Sequence, residues 1–320
     1  MRRLITLLAL GCGCTAAVAQ GYPNKPIRLV VGFAPGGAAD IIARTMSDPL
    51  ARALGQGIIV DNRPGAGSSV AAELVAKAAP DGYTIMIASQ SGMIINPIIN
   101  KNVGYSTARD FIALTQVTSS PLVVAVNPSL KVTSIAELIA EAKKSPGKLN
   151  YATSGNGSLP HLATALFVAL SGVKMEHVPY KSGGQSVQSV LAGDTQVTFA
   201  TAPSVMPLVL SGRLRGIAVT TRKRSALIAG LPGMEEAGLP GYNVSIWYGF
   251  FTPAGVPGDI AQRLFQATAQ ALQDVKLKQV LATDGTEALA SSSPEAFAAF
   301  LREETEVTAR VIRESGAKFE

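Results

Sequence analysis

The sequence predicts an α/β chain of two lobes with a mixed sheet in each. Three observations predict it. Short apolar runs rich in β-formers alternate with amphipathic segments, the pattern of strands joined by crossover helices. That series occurs twice, once before residue 121 and again from Leu149. In each half, one strand runs through a glycine turn straight into a helix.

The first such turn organises the chain. Leu29, Val30 and Val31 read as a buried strand, Phe33-Ala34-Pro35-Gly36-Gly37 as a turn, and Asp40-Ile41-Ile42-Ala43-Arg44 as a helix start. Proline fixes φ and the two glycines admit conformations that other residues avoid. Asp40 sits in the first helical turn, where an acid suits the helix dipole. Strand, glycine turn and helix together aim free backbone N–H groups at an anion. No lysine follows the turn, and Gly36-Gly37 is neither a P-loop nor a dinucleotide fingerprint.

The remaining elements follow in order. Ile42, Met46, Leu50 and Leu54 give the first helix, residues 39–54, its core face, and Pro49 predicts a kink or a break. Residues 58–60 are a second strand, and Asp61-Asn62-Arg63-Pro64-Gly65-Ala66-Gly67 is a loop. Ser68 and Ser69 can cap a helix over 70–79. Gly65-Ala66-Gly67 lacks the third glycine of a dinucleotide loop and reads as packing and turn chemistry. A third strand, 83–88, delivers Ser89-Gln90-Ser91 at its C-terminal end, where open α/β sheets place ligands.

Strands are expected over 111–117 and 122–126, then a helix over 134–144 with Ser134 and Glu137 as a capping box. The second series begins at 149–153. Its glycine turn, Ser154-Gly155-Asn156-Gly157-Ser158, opens a helix over 159–170 that carries His161 in its first turn. Strands over 175–178, 195–200 and 216–220 alternate with helices over 185–192 and 204–210. An aromatic strand over 242–252 is long enough to connect one lobe to the other. Helices over 260–275, 276–281 and 294–315 close the chain, with a turn at 285–287.

The N-terminus reads as an export signal. Met1-Arg2-Arg3 is a basic region, residues 4–10 are apolar, and Ala17-Val18-Ala19 is a small-x-small cleavage site. Residues 1–19 are therefore expected to be removed and the protein to reside in the periplasm. A lipoprotein signal at Cys12 or Cys14 is the lesser alternative, because Ala9 stands where a lipobox usually has leucine. Both cysteines of the chain lie in this segment, so the mature protein has no disulfide, thiol nucleophile or cysteine metal site.

Removing Arg2 and Arg3 from 28 basic residues leaves 26 against 22 acids, a net charge of +4. The basic residues are scattered, and Arg222-Lys223-Arg224 is the only triple, which argues against nucleic acid as a partner. Two histidines, with no GxSxG, HExxH or CxxC, signal neither an enzyme nor a metal site. No cofactor is expected. An exported hydrolase using Ser154 with His161 is the least favoured reading, since seven residues across a helix start is an unfavourable spacing for a Ser–His pair. Two lobes, each with a glycine turn opening a helix, describe an exported receptor that holds a ligand in the cleft between them.

The ordered motifs carry a family resemblance. They are Tyr22-Pro23-Asn24-Lys25-Pro26-Ile27-Arg28, the turn from Phe33 to Asp40, Asp61-Asn62-Arg63-Pro64-Gly65-Ala66-Gly67 and Asp81-Gly82-Tyr83-Thr84. The set continues with Tyr151-Ala152-Thr153-Ser154-Gly155-Asn156-Gly157-Ser158-Leu159-Pro160-His161, Val178-Pro179-Tyr180-Lys181 and Trp247-Tyr248-Gly249. The chain resembles the Bug-type solute receptors of tripartite tricarboxylate transporters over essentially its whole mature length.

That resemblance implies a two-lobed Venus-flytrap fold of the type II periplasmic binding protein class. It implies capture of a small carboxylate and delivery to integral membrane transporter subunits. It also implies that Phe33, Pro35, Gly36, Gly37 and Ala38 from one lobe hold a ligand carboxylate. Thr153, Ser154, Gly155, Gly157 and Ser158 would hold it from the other, with His161 matching the family's histidine. Asp40 and Ser89 complete the candidate ligand-binding set. Gln196 stands where the family usually has an acid, and the usual Pro-Thr before the turn at Glu236-Ala237-Gly238 is missing. The lobes are expected to comprise residues 20–121 with 245–320, and 122–244, in a monomer. A receptor that docks on a sensor kinase is the alternative, with the same ligand chemistry.

Overall fold

The computed structural model describes residues 21–317. The expected export signal and cleavage site, with Cys12 and Cys14, lie outside the described residues. Ten strands are arranged as two sheet sections joined through one shared strand. In the first section β1 (Ile27–Val31) lies between β2 (Ile58–Asn62) and β3 (Thr84–Ser89), all parallel. β4 (Phe111–Val126) follows in the chain. The second section repeats the pattern with β5 (Asn150–Thr153) between β6 (Glu176–Pro179) and β7 (Val197–Thr201).

Each section then receives an antiparallel strand. β9 (Ser245–Pro253) joins β3 to the first half of β4, and the second half of β4 joins β7 to β8 (Arg215–Val219). A two-residue strand, β10 (Glu287–Ala288), edges the first section where a turn is expected from sequence.

β4 is one 16-residue strand rather than the two expected. Thr118-Ser119-Ser120-Pro121 looks like a break because proline lacks a donor. Here Pro121 is the last residue to pair with β9, opposite Ser245, and Leu122 is the first to pair with β7. A missing N–H is tolerated where the ladder changes partners. Helix α1 (Ala38–Leu54) likewise runs unbroken through Pro49, with Ile42, Met46, Leu50 and Leu54 buried as their spacing requires. The expected break is absent because Pro49 itself is buried under tertiary packing.

The other helices are α2 (Ser69–Ala76), α3 (Asn96–Ile99), α4 (Thr107–Asp110), α5 (Ile135–Lys144), α6 (Leu159–Ser171) and α7 (Gly183–Ala192). They continue with α8 (Ala202–Leu210), α9 (Gly258–Ala271), α10 (Val275–Thr283) and α11 (Pro294–Ser315). Ser68 caps nothing with its side chain, because its backbone is left-handed with φ 83°. Ser134 Oγ accepts from Glu137 N, but Glu137 reaches back to Thr133 rather than to Ser134. Trp247 is buried on the face of β9 turned to α11, among Phe251, Phe297 and Phe300, and its indole donates to Glu304.

Thr220 pins the two crossings between the sections. Its hydroxyl oxygen accepts from Leu122 N at 2.8 Å and its O–H donates to Val244 O at 2.8 Å, while its own N–H and C=O bond the same two residues. The side chain is fully buried. Thr220→Val keeps the shape and strands the Leu122 N–H without its hydroxyl acceptor. A loss of about 2 kcal/mol is expected in urea denaturation, and a change within about 0.5 kcal/mol would show that the clasp contributes little.

Candidate functional site

The first glycine turn and the second meet across the gap between the sheet sections, and a third segment joins them. Phe33, Gly37, Ala38 and Ala39 line one side of a small cavity with Ser89 and Ser91 from the end of β3. Ser154, Pro160, Gly183 and Thr201 line the other, and Ile246 and Tyr248 of β9 close the floor. The cavity measures about 20 Å³, room for one water-sized group. A compartment of about 350 Å³ adjoins it, sharing Phe33 and Ser154 and bounded by Pro64 to Ser68, Gly155, Asn156 and Lys181.

Helix starts dominate the lining. α1 begins at Ala38, α6 at Leu159, α7 at Gly183 and α8 at Ala202, and each has a lining residue in its cap or first turn. First-turn N–H groups have no acceptor within their own helix, and the helix dipole places partial positive charge there. No acidic or basic side chain lines the small cavity.

The four starts are not equivalent. In α6, Leu159 N donates to Ser91 Oγ at 3.0 Å, His161 N donates to Ser158 Oγ at 3.3 Å, and Pro160 has no N–H. Within the preceding turn, Gly155 N donates to Thr153 Oγ1 and Ser158 N to Gly155 O. These donors are therefore satisfied, three within the turn and its cap and Leu159 N by Ser91, and the Ser154 side of the turn lines the cavity. In α1, the first i→i−4 bond is Ile41 N to Gly37 O, so the N–H groups of Ala38 and Ala39 have no acceptor within their helix, and both residues line the cavity. In α7, Ser182 accepts from Gln185 N and Ser186 N, which leaves Gly183 at the wall.

Close approach explains one of the glycines. A Cβ on Gly184 would lie 2.5 Å from Gly36 O, so the first turn and the start of α7 touch backbone to backbone. Ala34 N donates to Lys181 O at 3.2 Å beside that contact.

The sequence-predicted residues divide accordingly. Phe33, Gly37, Ala38, Ser89 and Ser154 line the cavity, Gly155 bounds the adjoining compartment, and Pro35 and Gly36 face a groove on the outer side of the turn. Thr153, Ser158 and His161 are buried behind the second turn, and Gly157 packs against Asn96. Asp40 is buried outside the cavity lining, with only 4% of its surface exposed. Its carboxylate accepts from Gly36 N, Arg44 Nε and Asn62 Nδ2, each at 3.0 Å. Burial alone would raise its pKa, but those three hydrogen bonds outweigh it and hold the carboxyl below its usual range. Asn62 also donates to Phe33 O, so Asp40 and Asn62 together fix the shape of the first turn.

Gln196 lies away from the cavity, accepting from Asn150 N at 2.9 Å. Sequence reasoning reached Ser91 only as part of the polar run that ends β3, and it missed Gly183 and Thr201. Ser182-Gly183-Gly184 after a strand was the available signal, a third glycine turn opening a helix. Among the described residues, no group of His, Cys, Asp or Glu side chains is placed to hold a metal, and no helix is long and apolar enough to cross a membrane.

His161 stacks on His177 with ring centroids 3.9 Å apart, and His177 Nε2 meets Thr153 Oγ1 at 2.7 Å. Burial, aided by the neighbouring His177, pushes His161 down to about 3, and burial pushes His177 down to about 4. Both rings therefore bind protons more weakly folded than unfolded. Their contribution to stability is complete above the ordinary value of 6.5 and is lost as the pH falls towards those lowered values. Denaturation midpoints are expected to fall from about pH 7 to about pH 5, and a double His161→Phe, His177→Phe variant to flatten that slope. A flat wild-type profile over that window would contradict the buried neutral pair.

Comparison with known proteins agrees with this geometry. The family described as "Tripartite tricarboxylate transporter family receptor" matches residues 42–317. BugT of Bordetella pertussis is 33% identical over 323 residues, covering 99% of this chain and 99% of that protein. The structure of R. palustris Rpa4515 with adipate superposes with a TM-score of 0.88 at 33% identity, covering 92% of this chain and 99% of the other. MatC of Rhodopseudomonas palustris, with bound malate, superposes at 0.85 with 27% identity, covering 91% and 100%. Members of this family are periplasmic binding proteins of the same mixed-sheet α/β fold. The chain belongs to the tripartite tricarboxylate transporter receptor family.

Proposed function

We propose that this receptor captures a small organic acid between its two sheet sections and hands it to the membrane subunits of a tripartite transporter. The observation that carries the reading is the set of helix first turns meeting at one cavity free of acidic and basic side chains. A carboxylate there would accept from Ala38, Ala39 and Gly183 N–H groups, with hydroxyls of Ser89, Ser91, Ser154, Thr201 and Tyr248 within the same lining. Hydrogen bonds to an ionised acceptor are stronger than neutral ones, and enclosure away from water strengthens them further. The adjoining compartment would take the rest of the acid. Family relatives with adipate and malate bound support an acid of this size.

The lobes of this mechanism are residues 20–121 with 245–320, and 122–244. The change of strand partners at Pro121 and Leu122 and the clasp at Thr220 and Val244 support those bounds. Rotation about the two crossings would open and shut the cavity. Export through a cleaved signal of residues 1–19, action as a monomer and absence of enzymatic activity complete the reading.

The test is thermal unfolding of the purified protein with succinate, malate, adipate, benzoate and the corresponding amides. Binding to the folded state adds about 2.7 kcal/mol at a hundredfold excess over Kd. At least one acid is expected to raise the midpoint while its amide does not, and Ser154→Ala is expected to diminish that shift. No shift with any acid, in protein unfolded and refolded to strip carried-over ligand, would overturn the proposal.

A further inference from the structure

The loop Gly65-Ala66-Gly67 bounds the adjoining compartment, and behind it Asn96 ties it to the second glycine turn. Asn96 opens α3, directly after a π-helical turn at Ser91–Ile95, and is 4% exposed. Its Nδ2 lies 2.7 Å from Ser91 O, 3.0 Å from Gly67 O and 3.4 Å from Gly157 O, three carbonyls that share its two N–H groups. Ser91 belongs to the π-turn itself, Gly67 follows β2 in the first sheet section, and Gly157 follows β5 in the second.

Both glycines are shaped to this side chain. A Cβ on Gly67 would lie 2.7 Å from Asn96 Nδ2 and 2.8 Å from Asn156 O, and a Cβ on Gly157 would lie 2.8 Å from Asn96 Oδ1. Both also have left-handed backbones, with φ +58° and +70°. Beside them Ser91 Oγ accepts from Leu159 N, the first residue of α6. One π-turn thus grips the second glycine turn twice, through Asn96 at Gly157 and through Ser91 at Leu159. Such turns interrupt helices mostly where function requires it.

We propose that Asn96 is a positioning residue that locks the second glycine turn against the first sheet section when the cleft is shut. It does not line the carboxylate cavity. It acts through the 154–158 turn, which presents Ser154 there. The hydrogen bonds of this lock must break before the cleft can open, so they slow release of ligand more than its capture. This proposal rests on the receptor reading above for its effect on affinity, but not for the lock itself.

The experiment compares wild type with Asn96→Ala, and with Gly157→Ala, whose Cβ would disturb Asn96 from the opposite sheet section. Malate and adipate are the probes. The acid that wild type binds is expected to dissociate about tenfold faster from either variant, with its association rate within about twofold. Amide hydrogen exchange in ligand-free protein supplies a readout independent of either acid. Exchange across residues 154–162 is expected to quicken in the variants while residues 27–54 keep wild-type protection. Unchanged exchange at 154–162, or an equal rise throughout the chain, would overturn the lock. So would a slower association rate with unchanged dissociation. If neither acid binds wild type, the receptor reading is what fails for those acids, and the exchange comparison still decides the lock. If Asn96→Ala does not fold, Gly157→Ala carries the same expectations.

Discussion

Backbone N–H groups at the start of a helix must find an acceptor outside it. This chain gathers several such starts at one point. α1 brings Ala38 and Ala39, α7 brings Gly183, and α8 brings its cap residue Thr201 to a cavity with no charged side chain in its wall. Most features nearby follow from that constraint. Glycine is required at Gly184 because the start of α7 presses on the backbone of Gly36. Asp40 and Asn62 tie down the first turn from behind, so that its donors face the cavity while its other groups are satisfied. Neutral hydroxyls, rather than a lysine or arginine, complete the wall and keep the wall free of salt bridges that an acid would have to break.

The same arrangement depends on how the two sheet sections are joined. A single strand shared by both sections, with Thr220 clasping it to the return crossing, brings the two glycine turns to opposite sides of one gap. The π-turn after β3 and the helix start of α6 meet across that gap. The contact across the gap is therefore polar, a backbone N–H to the Ser91 hydroxyl and the Asn96 side-chain amide to the Gly157 backbone carbonyl.

Much of this was legible in the sequence. Phe33, Gly37, Ala38 and Ser154 stand out because a strand, a glycine turn and a helix follow one another without a gap, and Ser89 because it ends a strand. The first helix kept its core face despite Pro49 because that face is buried along its length. Other features depended on distant partners. The second glycine turn reads like the first, but Ser91, 68 residues before Leu159, takes the N–H that local pattern leaves free. β4 reads as two strands because Pro121 marks a break locally, while the change of ladder partner that accommodates it depends on β7 and β9. The role of Gly67 and Gly157 lies in Asn96, which a short apolar segment with a proline gives no reason to single out.

The central claim is that backbone amides from opposite sheet sections hold one carboxylate. Amide proton resonances of Ala38, Ala39 and Gly183, followed by NMR during titration with a bound acid, test it most directly. Hydrogen bonds to a carboxylate move amide protons downfield, and these three are expected to move together with a single affinity. Their remaining in place while the acid saturates the protein would contradict the account, because the acid would then be held elsewhere.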